Sequence, residues 1–202
     1  MKTIKLFGIA LMTILCVNSC ENQQEQISID DELQSLSARS SFGKKEGNLK
    51  LPFEAKFFTK RNYSNNGAGY CTKDPYLGFN YQVGAGQGTH LGDFTVTFEF
   101  CEDGFNYNNV RGVLTAANGD KLYVGSINQD EPAGTVIPFE HPFYEAYFQD
   151  PFYFIGGTGR FEGASGGGMT NSLVNSFDDE GNFIPEFQTD HKWNGTIILP
   201  KN

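Results

Sequence analysis

The sequence predicts an all-β domain from residue 48 onward, and three observations favour it. Between Phe94 and Cys101, phenylalanine or valine alternates with threonine, glutamate or cysteine, which is the period of a strand. Asn118-Gly119 separates two short apolar segments, and this dipeptide favours the positive φ angles of a hairpin turn. No long segment repeats apolar residues at the helical spacing of three and four.

The number of strands and the glycine content favour a barrel. We expect seven or eight antiparallel strands, and a sheet of this size closes or splits because open edges promote aggregation. Glycine contributes 24 of 202 residues and phenylalanine 19. Glycine within strands marks the bends that small barrels need, and phenylalanine supplies core volume. Residues 135–148 are interrupted by Pro138 and Pro142, which indicates an edge strand or a long loop.

The glycine-rich stretch from Gly156 to Gly168 resembles a phosphate-binding loop only in composition. Such a loop leads into a helix whose first turn faces the anion. Here the following residues, 169–177, alternate like a strand and lack the Lys-Ser or Lys-Thr pair of that motif. Residues 84–92 run into the strand at Phe94 in the same way. We interpret both stretches as turns and bends.

Three of these segments carry a resemblance to a known superfamily. Gly88–Gly92, Leu114–Val124 and Gly156–Gly166 resemble, in this order, segments of the allene oxide cyclase and dirigent barrels. The resemblance implies an eight-stranded antiparallel barrel of calycin-like shape, but no catalytic residue of either family matches a residue here. The positions expected at turns and bends are Gly88, Gly92, Asn118, Gly119, Gly156, Gly157 and Gly159.

The N-terminus has the pattern of an export signal. Lys2 and Lys5 precede twelve almost entirely apolar residues, 6–17, which are too few to span a bilayer as a helix. Ser19-Cys20 at their end resembles the lipobox of bacterial lipoproteins. We therefore predict a signal peptide over residues 1–19, lipidation of Cys20, and a place in the bacterial cell envelope, with the outer membrane favoured. The alternative is an ordinary signal peptide and an incidental cysteine.

A polar tether is expected between the anchor and the domain. Residues 20–47 have almost no aromatic side chains and cannot bury enough apolar surface to fold. Residues 48–202 form the predicted barrel domain. Without residues 1–19 the chain has 13 Lys and Arg against 24 Asp and Glu, a formal charge of −11. This charge disfavours both nucleic acid and anionic membrane surfaces as partners. The lipid anchor is therefore the expected link to a membrane. The oligomeric state is left open.

The cysteine and histidine residues indicate whether a disulfide or a metal site is expected. Cys71 and Cys101 are the two cysteines of the domain, and export to an oxidising compartment permits a disulfide between them. Two buried free thiols are the alternative. The three histidines, His90, His141 and His191, show no metal-ligand spacing, so we predict neither a metal site nor another cofactor.

Candidates for catalysis are weak. No Gly-x-Ser-x-Gly elbow is present. Glu99 shares the polar face of its strand with Thr95 and Thr97. If that face points into the barrel, Glu99 lies in the lumen near His90 or Arg160. If it faces solvent, these residues have no common site.

Three functions remain open on the sequence alone. The favoured hypothesis is a non-enzymatic, lipid-anchored barrel that binds a small apolar ligand or a partner. The second is a barrel enzyme of the cyclase or isomerase type, and the third a structural or surface-interaction protein with a filled barrel. Whether aromatic side chains leave a cavity in the lumen distinguishes them, and we expect a small cavity because glycine-rich strands leave room.

Overall fold

A computed structural model of the chain describes residues 47–126, 132–178, 180 and 182–201. The predicted signal peptide, Cys20 and nearly all of the tether lie outside the described residues. Within these limits the chain forms strands and one short 3₁₀ helix, Gly159–Phe161, and no helix is long and apolar enough to cross a membrane. The strands are β1 (Asn48–Arg61), β2 (Gly78–Gly88), β3 (Gly92–Glu102), β4 (Asn106–Ala116), β5 (Lys121–Gly125), β6 (Gly134–Thr135), β7 (Ile137–Pro138), β8 (Ala146–Phe148), β9 (Pro151–Gly157), β10 (Ser165–Met169), β11 (Ser172–Phe177) and β12 (Phe183–Pro200).

Eight of these strands close into an antiparallel barrel. They follow one another in the order β1, β2, β3, β4, β5, β9, β10 and β12, and β12 then pairs with β1. This closing contact is long, since its register runs from Asn48 opposite Pro200 to Lys60 opposite Gln188. The predicted all-β, eight-stranded antiparallel barrel is therefore confirmed, and closure leaves these eight strands without an unpaired edge.

The remaining strands extend the sheet at one end of the barrel. β12 pairs with β10 through residues 194–198 and then with β11 through residues 183–191, so β10 and β11 act as one interrupted strand. β8 pairs with β11, and β7 pairs with β8 at the edge of the sheet. Pro138 lies in this edge strand, where proline costs no central hydrogen bond. The segment with two prolines thus contains the short edge strand β7 and a connection over residues 139–145 that includes Pro142.

The alternating pattern decides which side chains fill the barrel. On β3, Phe94, Val96 and Phe98 are buried, whereas Thr95 is exposed. The aromatic rings pack edge to face or stacked: Phe53 and Phe154 are 4.8 Å apart between centroids, and Phe152 stacks on Trp193 at 4.4 Å. The buried cluster consists of Phe53, Ala55, Phe57, Leu91, Phe94, Val96, Phe98, Leu114, Ala116, Leu122, Val124, Phe152, Phe154, Phe161, Ala164, Trp193 and Ile197.

Glycine allows two kinds of backbone feature in this barrel. Gly119 has φ +88° in the β4–β5 turn, beside Asn118, as the Asn-Gly dipeptide predicts. Gly84 and Gly86 lie in β2 where an added Cβ would overlap the backbone of β1, so glycine permits the close approach of the two strands.

Four of the other expected turn and bend positions are explained by one of the same two features, a positive φ angle or a close approach of strands. Gly92, Gly156 and Gly159 also have positive φ, while a Cβ on Gly157 would overlap the carbonyl oxygen of Lys121. Gly88 is the last residue of β2 and precedes the turn to β3. The stretch from Gly156 to Gly168 contains the end of β9, the 3₁₀ helix and most of β10, so it continues into a strand.

Candidate functional site

The barrel interior is filled at one end and open at the other. Because neighbouring strands are antiparallel, the β2–β3 and β4–β5 turns lie at one end and the β3–β4 turn lies at the opposite end. At the β3–β4 end a cavity of about 300 Å³ enters the lumen. Phe98, Phe152 and Trp193 line it and also belong to the buried core.

The walls of this cavity are mostly aromatic and aliphatic. Tyr107 on β4 and Phe148 on β8 meet edge to face, with ring centroids 5.7 Å apart. Phe100 lies beside Tyr107 at 5.6 Å. Phe105, in the β3–β4 turn, lines the cavity while 64% of its surface is exposed. An exposed aromatic ring on the lining indicates that this end is the entrance.

A buried chain of hydrogen bonds borders the cavity and joins side chains of β1, β2, β11 and β12. Thr59 donates its hydroxyl proton to Gln82 Oε1 at 2.5 Å. Its oxygen lies 3.0 Å from His191 Nε2, so Nε2 carries the ring proton and donates it. His191 Nδ1 then accepts from the Ser172 hydroxyl at 2.8 Å. These two contacts make Nε2 the donor and Nδ1 the acceptor, which is the Nε2–H tautomer of the imidazole.

Burial keeps His191 neutral. Desolvation lowers its pKa from 6.5 to about 3, because the protonated ring would lose its hydration in the barrel interior. The ring also stacks on Phe57, with 4.4 Å between centroids and 15° between planes. A neutral imidazole with both nitrogens occupied orients its neighbours, and proton transfer at neutral pH would require breaking this network.

Three buried polar atoms at the cavity have no hydrogen-bond partner among the described residues. They are Asn80 Oδ1, Trp193 Nε1 and Glu145 Oε1. Asn80 is only 1% exposed and Trp193 only 4%. Buried polar atoms are normally hydrogen-bonded, since an unmade bond costs about 1–3 kcal/mol. All three residues line the cavity.

The charged residues on the described lining are acidic. Glu102 and Glu145 line the cavity, and no Lys or Arg does so in the described parts of the chain. Arg61 pairs with Glu102 from behind the lining, with 3.3 Å between Nη1 and Oε1. The same guanidinium donates a second hydrogen bond to the carbonyl oxygen of Phe79 at 3.2 Å. The cavity therefore presents carboxyl oxygens and an amide, with the nearby cation bound to Glu102.

Tyr107 and Asp150 form a polar pair at the wall. The Tyr107 hydroxyl donates to Asp150 Oδ2 at 2.8 Å. Burial raises the pKa of Tyr107 well above its usual value, and the Asp150 carboxyl adds to this effect. Burial also raises the pKa of Asp150, although the hydrogen bond from Tyr107 acts in the opposite direction. Tyr107 therefore keeps its proton and directs it at Asp150, and the residue lines the cavity.

The three catalytic candidates from the sequence do not meet in the lumen. Phe94, Val96 and Phe98 occupy the inward face of β3, so Glu99 lies on the outward face and accepts from Asn65 Nδ2 at 3.3 Å. Of the two orientations that the sequence leaves open for the polar face of β3, the outward one is observed, because the apolar face takes the interior.

His90 and Arg160 lie at the filled end instead. His90 is in the β2–β3 turn with φ +64°, and its Nε2 is 3.0 Å from the Pro52 carbonyl oxygen. Arg160 is in the 3₁₀ helix, where its Nε is 3.5 Å from Asp120 Oδ2. Both therefore have local structural contacts away from the cavity.

The sequence predicts a link between Cys71 and Cys101, and a disulfide joins these residues. Their Cα atoms are 5.6 Å apart, and 30 positions separate them in the chain. Cys101 is the residue before the last of β3 and Cys71 lies in the long β1–β2 connection, so the bond fixes that connection at the open end of the barrel. In the described ranges, no group of three or more His, Cys, Asp or Glu side chains is placed to hold a metal ion.

His191 and Asn80 are not evident as site residues from the sequence. His191 has no metal-ligand spacing to the other histidines, although it lies two residues before Trp193 and therefore on the same face of β12. Asn80 and Gln82 likewise share one face of β2. The signal available was polar residues in the inward register of strands whose other inward residues are apolar or glycine.

Fold and cavity together define a class: a closed eight-stranded antiparallel barrel with an aromatic, partly acidic cavity at one end. No family model, no curated protein and no solved structure matches this chain. The similarity to the allene oxide cyclase and dirigent barrels stays a prediction carried by the sequence motifs.

Proposed function

We propose that this protein is a lipid-anchored barrel of the bacterial cell envelope that binds a small, mainly apolar molecule without transforming it. The observation that carries the proposal is the cavity of about 300 Å³ whose lining contains unpartnered, buried polar atoms. Pockets for small molecules combine an apolar lining with a few polar groups that fix orientation, and this volume is at the lower end of their range.

The arrangement of the interior supports binding over a purely structural role. A filled barrel would place apolar side chains against one another along its whole length, as Phe53, Phe154 and Ile197 do at the other end. At the cavity, Asn80 and Trp193 instead keep hydrogen-bonding atoms without a described partner. A ligand that satisfies them would recover the cost of burying them.

Trp193 provides a direct test, because it is the single tryptophan of the chain and lines the cavity. Residues 20–202, produced without lipid, are titrated with the neutral dye N-phenyl-1-naphthylamine. We expect saturable binding near one to one, with a matching change in Trp193 emission. Displacement by a lipid extract of the native host would give access to the natural ligand.

A cavity-filling variant sharpens this experiment. Ala146 lines the cavity and is 7% exposed, so Ala146→Phe should remove saturable binding. Ala117→Phe adds the same side chain at an exposed position in the turn at the filled end and should leave binding intact. Absence of saturable binding in the unmodified protein, or equal binding by both variants, contradicts the proposal.

The anchor is the second part of the proposal and has an independent test. The apolar segment that ends at Ser19-Cys20 supports lipidation of Cys20. Cys20→Ala in the native host should block processing and release of the signal peptide, as should globomycin, an inhibitor of lipoprotein signal peptidase. Normal processing and membrane retention of the variant would refute the anchor and leave the cavity proposal untouched.

A further inference from the structure

We infer that the cavity selects small apolar amines, with the ligand ammonium bound by the carboxyl group of Glu145. The inference rests on the proposed binding function and adds the chemical class of the ligand. Its basis is the combination of acidic charge, unpartnered acceptors and aromatic walls on one lining.

Charge disfavours an anionic ligand. Glu102 and Glu145 are the charged groups on the described lining, and the neutral His191 has both ring nitrogens in hydrogen bonds. Arg61 is bound to Glu102 and to the Phe79 carbonyl oxygen. A carboxylate or phosphate in the cavity would therefore face Glu145 without a cation on the lining, which is costly in a desolvated site. The formal charge of −9 for the whole chain also attracts cations.

The unpartnered atoms favour a ligand that donates hydrogen bonds. Two of the three unpartnered atoms on the lining, Asn80 Oδ1 and Glu145 Oε1, are acceptors, and neither has a partner among the described residues. The third, Trp193 Nε1, is a donor, which an ammonium group does not satisfy. A primary ammonium group carries three donors and no acceptor. It can therefore satisfy a carboxyl oxygen with a charge-assisted hydrogen bond, the stronger kind.

The aromatic walls suit both parts of such a molecule. Tyr107, Phe148 and Trp193 line the cavity, and the Tyr107 hydroxyl is already bound to Asp150. The faces of these rings accept an apolar body and also attract a cation through their quadrupoles. A hydrocarbon chain with an ammonium end therefore matches the lining more fully than a hydrocarbon alone.

The test compares three ligands that differ only in their head group: n-octylamine, n-octanol and n-octanoate. Each is titrated at pH 7 into residues 20–202, produced without lipid, with Trp193 emission and calorimetry as readouts. We expect octylamine to bind about tenfold more tightly than octanol, from the charge-assisted hydrogen bond. Octanoate should bind most weakly.

Two variants assign the preference to Glu145. Glu145→Gln should reduce octylamine affinity about tenfold and leave octanol affinity nearly unchanged. Glu140→Gln removes the same charge from an exposed residue off the cavity lining and should keep the preference. Equal binding of the three ligands, tightest binding of octanoate, or a preference that survives Glu145→Gln overturns the amine inference. Failure of all three ligands to bind contradicts the proposed function itself.

Discussion

The two ends of the barrel interior are built from the same strands but from different side chains. On β1 the inward residues Phe53 and Phe57 of the filled end give way to Thr59 near the cavity. On β12, Ile197 and Trp193 give way to His191 and Thr189 in the same register. The backbone hydrogen bonds continue through both ends, since β1 and β12 pair along almost their whole length.

Closure of the barrel and filling of its interior therefore depend on different groups, the first on backbone pairing and the second on side chains. Backbone pairing closes the barrel at both ends, while the filled end is stabilised by burial of aromatic and aliphatic side chains. The open end has buried polar side chains joined by hydrogen bonds, together with unpartnered atoms. Buried polar groups add little net stability, so the filled end is expected to contribute more to the free energy of unfolding than the open end.

The largest expected effect is in the filled end. Phe53 is 0% exposed and contacts Phe152 and Phe154 edge to face, so Phe53→Ala leaves a cavity among rings that cannot collapse. We expect a loss of about 3–5 kcal/mol in the free energy of unfolding, measured by urea denaturation. Phe148→Ala, on the half-buried wall of the open end, should cost roughly half as much because space is already present there.

A third variant is the control for these two. Phe58→Ala removes the same ring from the outward face of β1, where 39% of the side chain is exposed, and should cost about 1 kcal/mol or less. Equal losses in Phe53→Ala and Phe148→Ala would mean that the two ends are packed alike.

A somewhat smaller effect is expected from the disulfide, which belongs to the open end. Cys71–Cys101 closes a loop over 30 positions, and loss of a link of this length costs about 3–4 kcal/mol in the chain-entropy model. The double variant Cys71→Ser, Cys101→Ser should unfold at correspondingly lower urea. Ligand binding should weaken with it, because the bond ties the β1–β2 connection to the end of β3 that precedes the β3–β4 turn at the entrance. Unchanged stability would show that the β1–β2 connection is held by other contacts.

Several elements of the fold follow directly from short-range sequence signals. The alternation from Phe94 to Phe98 predicts the strand β3, and Asn118-Gly119 predicts the β4–β5 turn, because both depend on local backbone geometry. The interruption at Pro138 gives an edge strand for the same reason. Closure of the barrel follows less directly, since it depends on β1 meeting β12 across almost the whole domain.

The candidate site was much harder to predict. Ser172 and His191 lie on the consecutive strands β11 and β12, but Thr59 reaches them from β1, 132 positions before His191. Glu99 is a catalytic candidate because it lies on the polar face of its strand, but the sequence of one strand does not show which face turns inward. Pairing partners decide this, and Phe98 is inward because it packs near Phe57 and Trp193.

The last prediction uses pH to probe the open end alone. His191 has a pKa of about 3 in the folded protein against 6.5 when exposed, owing to burial. Between these values the unfolded chain binds one proton more than the folded barrel, so lowering the pH stabilises the unfolded state. The free energy of unfolding should fall by about 2 kcal/mol from pH 7 to pH 5 through this residue.

His191→Gln, which keeps one donor and one acceptor, should lose that dependence, whereas His90→Gln in the β2–β3 turn should retain it. Urea denaturation at pH 7, 6 and 5 provides the comparison. Parallel pH profiles for the unmodified protein and His191→Gln would contradict a buried, neutral His191, and with it the polar chain that distinguishes the open end from the filled one.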